Sequence, residues 1–571
     1  MARKKKRRII ATADFETDPF EFNADIQPFS AGFYDGSAYH DFWGADCVTQ
    51  LLNFLFEVVC DYEDNEKLII YFHNGGKFDL FFMLEHLDPD LFIINGRIAK
   101  CTLFDGKIEI RDSYLILPLP LSSHAKDSID YDKFKRDVRE YHKTEILNYQ
   151  RTDCIYLHEW VSMFIGQFGF NLTLAGTAFK ELKKTSYTVG NTYSQFDELF
   201  RNFYFGGRVQ CFEVGAFENK EITYLDLNSA YPDVMRRKHW GGSQYLELDT
   251  LPDCENGSWY AEIRAESRGA LPIRVKENSA HKLYFPDDGK ERTFFATGWE
   301  IQKGIETNTL KINKVVNAYR PIFLQDFVEY VAKFFAMKFE ADTQLEKCVE
   351  GTKDYRYWSA MRTFAKLMLN SCYGKFGQDG REFEKFCITE FGESPQDKRY
   401  EWEPYAMHST HWIFSRPDPV ERFYNVATAG SITGAVRANL WGSILSCDRP
   451  IYSDTDSIIN IGGYRLDTGN DLGQWKIEEQ CSDAYIAQRK MYGLRCVNYG
   501  NFGPVDKTKK ACKGVKLEFD EIKRGVLSGR SIETVRDAPA YSLKYGRRYF
   551  TRKVDFENIQ KNACRNPIIC G

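Results

Sequence analysis

Apolar and polar positions follow two periods along this chain. Short β-branched and apolar runs at residues 8–13, 67–72 and 107–110, bounded by polar or turn-forming residues, predict strands. Residues 48–59 and 145–168 repeat apolar side chains every three or four positions and predict helices. Their alternation over residues 1–185 predicts an α/β domain. Tyr204-Phe205-Gly206-Gly207-Arg208 then punctuates the chain. From Ile222 onward strands and long helices mix in an α+β manner. No low-complexity segment, long linker or internal repeat divides the 571 residues, so domain edges rest on motif placement.

Composition narrows this picture only slightly. Hydrophobic residues at 43% and charged residues at 27% are a globular balance, and the length allows several cores. The 44 Phe and 33 Tyr suit large cores or base stacking equally well. No apolar run approaches the ~18 residues of a membrane span, and no signal-peptide pattern opens the chain, so no membrane partner is expected. The 15 Cys include no CxxC pair, which predicts reduced thiols in a cytoplasmic protein rather than a zinc site.

A net charge of −5 argues against general affinity for nucleic acid, but the charge is uneven. Residues 505–566 hold 16 Lys/Arg against 8 Asp/Glu, interleaved with Tyr541, Tyr545, Tyr549 and Phe550. That composition suits phosphates and base stacking, and it suits a solvated basic surface too. The opening Arg3-Lys4-Lys5-Lys6-Arg7-Arg8 reads as a tail, a phosphate-touching arm or a localisation signal.

Acids then recur in pairs. Asp14 and Glu16 share one face at the end of a strand-like run, being two residues apart. His73-Asn74-Gly75-Gly76-Lys77-Phe78-Asp79 is a turn followed by an acid that is either a helix N-cap or a functional carboxylate. Tyr149 and Asp153 project from one helical face at i and i+4. Together Asp14, Glu16, Asp79 and Asp153 supply what two-metal phosphodiester hydrolysis needs, with the Tyr149 hydroxyl able to position water. In order and rough spacing these three segments resemble the motifs of the DEDDy 3′–5′ exonucleases attached to family B DNA polymerases.

A second set lies farther on. Tyr224-Leu225-Asp226-Leu227-Asn228-Ser229-Ala230-Tyr231-Pro232 follows a strand, which Pro232 forces to turn away. Tyr452-Ser453-Asp454-Thr455-Asp456-Ser457 reads as a tight hairpin, or as a rigid mount for cations. The segments resemble the family B motifs D-x-x-S-L-Y-P, with Ala230 for Leu, and Y-x-D-T-D-S. Asp226 and Asp456 are 456 − 226 = 230 residues apart, so only folding can unite them. In-line attack of a primer 3′-oxygen on an α-phosphate needs two cations on anchored carboxylates, here Asp226 and Asp456, with Asp454 as helper.

Between them Lys366, Asn370 and Tyr373 fall at i, i+4 and i+7, with Gly374 suiting a helix end. This stretch resembles the nucleotide-binding K-x3-N-S-x-Y-G motif, the most specific match in the chain; Arg362 and Tyr231 join that set. Ile432-Thr433-Gly434-Ala435-Val436-Arg437 resembles T-x-x-x-R, Lys490-Met491-Tyr492 resembles K-x-Y, and Tyr204-Phe205-Gly206-Gly207 resembles Y-x-G-G. In the family these touch DNA, which assigns Tyr204, Gly206, Gly207, Thr433, Arg437, Lys490 and Tyr492 to that role, with Asn74 and Ser113 holding the frayed 3′ strand.

The resemblance is closest to the protein-primed DNA polymerases of small linear-genome phages, of the tectivirus type. It implies an RNase H-like exonuclease domain at 1–185 and a right-hand polymerase domain at 186–571. Within the latter it places palm motifs near 222–235 and 449–461, a first insertion at about 240–351, fingers at about 353–377, a second insertion at about 378–422 and a basic thumb at about 505–571. It implies two Mg²⁺ (or Mn²⁺) ions per active site, held by Asp14, Glu16, Asp79 and Asp153 and by Asp226 and Asp456. DNA template and primer, dNTPs and a terminal protein serving as primer are the implied partners of a monomer working by strand displacement in a host cytoplasm. The alternatives are an RNA- or DNA-primed polymerase, a stand-alone exonuclease, and a non-catalytic DNA-binding protein with degenerate sites.

Overall fold

The computed structural model describes residues 7–60, 62–63, 65–185, 194–277, 280–418, 424–500 and 503–563. Arg3 to Lys6 of the basic arm, the boundary near 186 and Arg565 lie outside the described residues.

The N-terminal sheet is built around β1, Arg7–Thr17. It runs antiparallel to Pro28–Tyr34 and parallel to Glu66–Phe72, which in turn pairs in parallel with Ile108–Asp112. Parallel central strands are covered on both faces, which is why 68–72 read as an unbroken apolar run. The 26-residue helix α1, Lys143–Phe168, lies on this sheet, and the Thr12 hydroxyl donates to the Cys154 carbonyl at 2.8 Å.

The second insertion belongs to the same sheet. Its strands Glu384–Glu390, Glu403–Met407 and His411–Pro417 pair with one another. Through Phe386 opposite Leu91 and Cys387 opposite Asp90, they extend the N-terminal sheet to ten strands. Phe386, Ile388 and Ile413 share the N-terminal domain's core.

The segment expected as one insertion at 240–351 is two units. His239–Leu248, Leu310–Gln325, Tyr260–Ser267 and Glu291–Thr297 make a four-stranded sheet that ends at Gln325. The chain then enters α2, Val328–Leu345, which packs along α3, Lys353–Ser371, as a helical hairpin. The helical hairpin therefore begins at Val328, before the 353 expected for the fingers. Phe164 and Phe168 of α1 meet Phe364 and Phe334 of this hairpin at 5.3 and 6.2 Å between ring centres. Helix α4, Val426–Leu445, carries a single ionic side chain and is buried almost all round.

In the palm sheet β2, Ile222–Leu227, is antiparallel to both neighbours. Beyond it stand β3, Cys447–Asp454; β4, Ser457–Tyr464; and β5, Trp475–Gln488. The expected thumb opens differently: Gly503–Cys512 is the edge strand of the palm sheet, and a helix, Phe519–Ser528, follows. Beyond that helix β6, Ile532–Ser542, and β7, Gly546–Val554, form a separate hairpin. Part of the basic charge is paired within the chain, as Lys507–Glu479, Lys510–Glu518, Lys523–Glu218 and Arg547–Asp25. No helix among the described residues is long and apolar enough to cross a membrane.

Candidate active sites

Strand pairing brings Asp226 and Asp456 together. Asp226 lies opposite Ser457 on one side and Lys476 on the other. The two-residue turn of Thr455 and Asp456 joins β3 to β4, with Thr455 in the left-handed region at φ 58. Its backbone is tied down twice. The Thr455 N–H donates to the Arg208 carbonyl at 2.6 Å, and the Asp456 carbonyl accepts from Leu227 at 2.7 Å. Burial, then the charges of Asp226 and Asp454, push the Asp456 carboxyl up to about 6. Burial and Glu478 raise Asp226 as well, opposed by Lys509, Lys366 and Lys476.

Asp454 and Asp456 are unequal in their surroundings. Both Asp454 carboxylate oxygens accept from the Lys490 ammonium at 2.9 Å, and the Tyr452 and Thr455 hydroxyls add bonds of 3.3 and 3.1 Å. Lys490 is held for this by its own left-handed backbone and an N–H donated to the Tyr452 hydroxyl at 2.9 Å. A carboxylate already neutralised in this way suits a helper; among the described residues no cation is paired with Asp456 in this way.

The nucleotide-binding candidates surround the same acids. Arg362, Lys366 and Asn370 are exposed along one face of α3. That helix stops at Ser371, so Gly374 lies inside a separate short helix, Tyr373–Phe376, rather than at the end of α3. The break turns Tyr373 onto Tyr231, ring on ring at 3.9 Å and 3°. Arg362 is paired with Asp342 of α2 at 2.5 Å. Sequence reasoning missed Lys338, one helical turn before Asp342. Burial and the cations Arg362, Lys366 and Lys476 hold its ammonium below the ordinary lysine range, against the pull of Asp342. Only the pairing of α2 with α3 reveals it, since α2 had been read as part of the insertion.

The first-domain acids converge more tightly. Asp14 and Glu16 come from β1, and Asp79 begins a one-turn 3₁₀ segment whose N-cap is Phe78, so the helix-cap reading of Asp79 does not hold. Tyr149 and Asp153 come from the first half of α1. Burial, then Asp79 and Asp153, push Asp14 well above the carboxylate range; burial, then Asp14 and Asp153, do the same to Glu16. Burial raises Asp79 to about 7 even though the Phe15 N–H donates to its carboxylate. The Tyr149 hydroxyl meets that of Tyr131 at 3.3 Å. A cavity of about 490 Å³ opens here, lined in part by Asp14, Asn74, Arg97, Lys126 and Asp153. Lys126, a residue with no motif signal, pairs with Asp153 at 3.4 Å and lies 5.5 Å over the Tyr149 ring.

Buried Glu16 Oε1 and Asp153 Oδ1 have no hydrogen-bond partner. Orphaned oxygens on mutually repelling acids fit hard cations. Among the described residues, however, no three or more of the Asp, Glu, His or Cys side chains are drawn into a closed ligand set as they stand.

Several expected DNA contacts are instead internal. Arg437 is buried, bonded through both sides of its guanidinium to Glu300 at 2.8 and 3.0 Å and to the carbonyls of Phe205 and Gly206 at 2.6 and 3.0 Å. It fastens the Y-x-G-G segment rather than DNA. Thr433 is buried in α4, bonded to the Gly430 carbonyl. Tyr492 is buried against Tyr452, 5.0 Å between ring centres. Ser113 is fully buried, donating to the Phe72 carbonyl and bonded to His73 Nδ1 at 3.0 Å, so it orients His73 and cannot touch a strand. Asn74 remains exposed, with Arg97 donating to its side-chain oxygen at 2.8 Å. Tyr204 is half-buried. Gly207 packs against Thr455, where a Cβ would meet side-chain atoms at 2.8 Å, while Gly206 faces open space.

Residues 124–457 match the family described as DNA polymerase type B, organellar and viral. The chain is 35% identical to the DNA-directed DNA polymerase of Enterobacteria phage PRD1 over 97% of its own length and 99% of that protein's. It is 26% identical to the DNA polymerase of Bacillus phage phi29, covering 86% of this chain and 87% of the relative. The solved phi29 DNA polymerase with primer-template DNA superposes with a TM-score of 0.70 at 18% identity, over 96% of this chain and all of that one. The fold is thus the family B architecture of an RNase H-like domain joined to a right-hand polymerase domain. The chain belongs to the type B DNA polymerases of organelles and viruses. Within them it is a DNA-directed DNA polymerase of the phage type, similar along nearly its whole length to the PRD1 enzyme.

Proposed function

We propose that the two acidic centres divide the work of protein-primed DNA replication: template-directed synthesis at Asp226 and Asp456, and 3′–5′ proofreading at Asp14, Glu16, Asp79 and Asp153. The observation that carries this reading is the union of Asp226 with Asp456 under a cationic wall of Lys366, Lys476 and Lys509. Asp226 and Asp456 would hold two Mg²⁺ or Mn²⁺ ions, which lower the pKa of a primer hydroxyl and neutralise phosphate charge when bound. Lys366 and Lys338 receive the triphosphate, and the stacked Tyr231 and Tyr373 wall the sugar and base. Lys490 holds Asp454 in place beside Asp456. At the other centre the four acids would hold a second pair of cations, Tyr149 and Lys126 would orient water and scissile phosphate, and exposed Asn74 would meet the frayed strand.

On this reading a separate terminal protein serves as primer, and the enzyme acts as a monomer by strand displacement in the host cytoplasm. A phi29 structure with primer-template DNA and incoming nucleotides gives the same fold a DNA-bound form. The test combines the purified protein, Mg²⁺ and labelled dNTP with a primed template, and separately with the cognate terminal protein. Primer extension and a protein–nucleotide adduct are expected. Extension without adduct means a nucleic-acid primer; DNA binding with neither product, under any divalent ion, overturns the catalytic reading.

A further inference from the structure

The C-terminal hairpin reaches the first-domain acids. An irregular register between Arg536 and Ala540 re-aims the end of β6, and Tyr541 emerges there. Its ring stands among three phenylalanines, Phe78, Phe81 and Phe82, with centroid distances of 5.5, 5.2 and 5.8 Å. Phe78 immediately precedes Asp79. Phe82 meets Phe15 edge-on at 6.4 Å, and Phe15 lies between Asp14 and Glu16 and donates its N–H to Asp79. The hairpin is anchored beside this cluster by Arg547 on Asp25 at 2.7 Å and by the Tyr549 hydroxyl on the Ala24 carbonyl at 2.5 Å.

Residues Asp79–Phe82 and the Gly75–Lys77 turn before them are short 3₁₀ pieces. Such pieces have poor hydrogen-bond geometry and take their position from what packs on them. Asp79 thus takes its position from rings whose outer wall is supplied by a residue more than four hundred positions away along the chain, while Asp14 and Glu16 are held by the pairing of β1. We infer that Tyr541 is a positioning residue of the exonuclease centre, holding Phe78, Phe81 and Phe82 so that Asp79 stays in register with Asp14 and Glu16. The inference rests on the proofreading reading. It also makes excision depend on the docking of the C-terminal hairpin against the first domain.

The test measures single-strand degradation and primed-template synthesis on the same preparations of the full chain. Tyr541→Ala is expected to lower kcat for degradation roughly ten- to a hundredfold, since ångström misplacement of a catalytic group costs that much. KM for the strand and the synthesis rate should change less than about twofold, a spread ordinary for surface changes. Tyr541→Phe, which keeps the ring, should restore kcat. Arg547→Ala, which frees the anchor without removing a core ring, should give a smaller loss of the same kind and covers the case in which Tyr541→Ala does not fold. A raised KM with kcat intact would mean that Tyr541 touches DNA, and equal loss of both activities would mean a general fold defect; either overturns the inference, as does no change. Degradation that is absent in the wild type, or that survives Asp14→Ala/Glu16→Ala, instead removes the proofreading reading and the inference with it.

Discussion

The two acidic centres are built from similar parts in opposite electrostatic settings. In the first domain Glu16, Asp79 and Asp153 are buried and Asp14 half-buried, and Lys126 is a cation that the geometry sets against them. In the palm, Asp226 is half-buried among Lys366, Lys476 and Lys509, and Asp454 is already neutralised by Lys490. A centre that must accept a polyanionic triphosphate can carry standing cations, because the substrate's charge outweighs them. On the proposed division of work, the first-domain centre would have less charge to offset in cleaving one phosphodiester, and its repelling acids would leave room for metal.

That contrast can be broken at several points. The largest effect is expected within the palm pair: Asp456→Asn should reduce nucleotide incorporation roughly 10³-fold or more, and Asp454→Asn far less, about tenfold. The reverse ranking in a single-turnover assay would contradict the helper role of the Lys490-bound acid. Next come the cations. Lys126→Ala should lower degradation about a hundredfold and leave synthesis alone, while Lys338→Ala should raise KM for dNTP about tenfold and leave degradation alone. Steady-state kinetics on both substrates would show any crossing of these effects.

The smallest effect concerns stability. The Asp79 carboxyl sits at about 7 when folded against an ordinary 3.8, so its ionised form costs the fold free energy. In EDTA at pH 8, Asp79→Asn should therefore be more stable than wild type, by about 2–4 kcal/mol. The advantage is full above pH 7 and shrinks towards zero as pH falls from 7 to about 4. Denaturant unfolding at pH 8 and pH 5 measures it, and Mg²⁺ should close the gap by binding the wild type.

The acids were legible because chemistry and periodicity coincide there: alternate positions on strands and i, i+4 on a helix are local facts. Tertiary burial is not local. Arg437 read as a DNA contact because nothing within 432–437 reveals Glu300, although a twenty-residue helix with one ionic side chain is itself a sign of enclosure. Tyr492 and Ser113 misled for the same reason. The sheet shared between the first domain and the second insertion depends on two facing residue pairs, Phe386 with Leu91 and Cys387 with Asp90, too short a match for any pattern to announce. Lys126 and Lys338 lacked a motif and emerged only from what they face.

The claim that two separate acidic centres share one chain is tested most directly by crossing their variants. Asp456→Ala and Asp14→Ala/Glu16→Ala are each assayed for dNTP incorporation on a primed template and for degradation of a single strand. The expected result is that Asp456→Ala loses incorporation and keeps degradation, while the double variant does the opposite. Incorporation near the wild-type rate in Asp456→Ala, together with intact degradation in Asp14→Ala/Glu16→Ala, would contradict both site assignments.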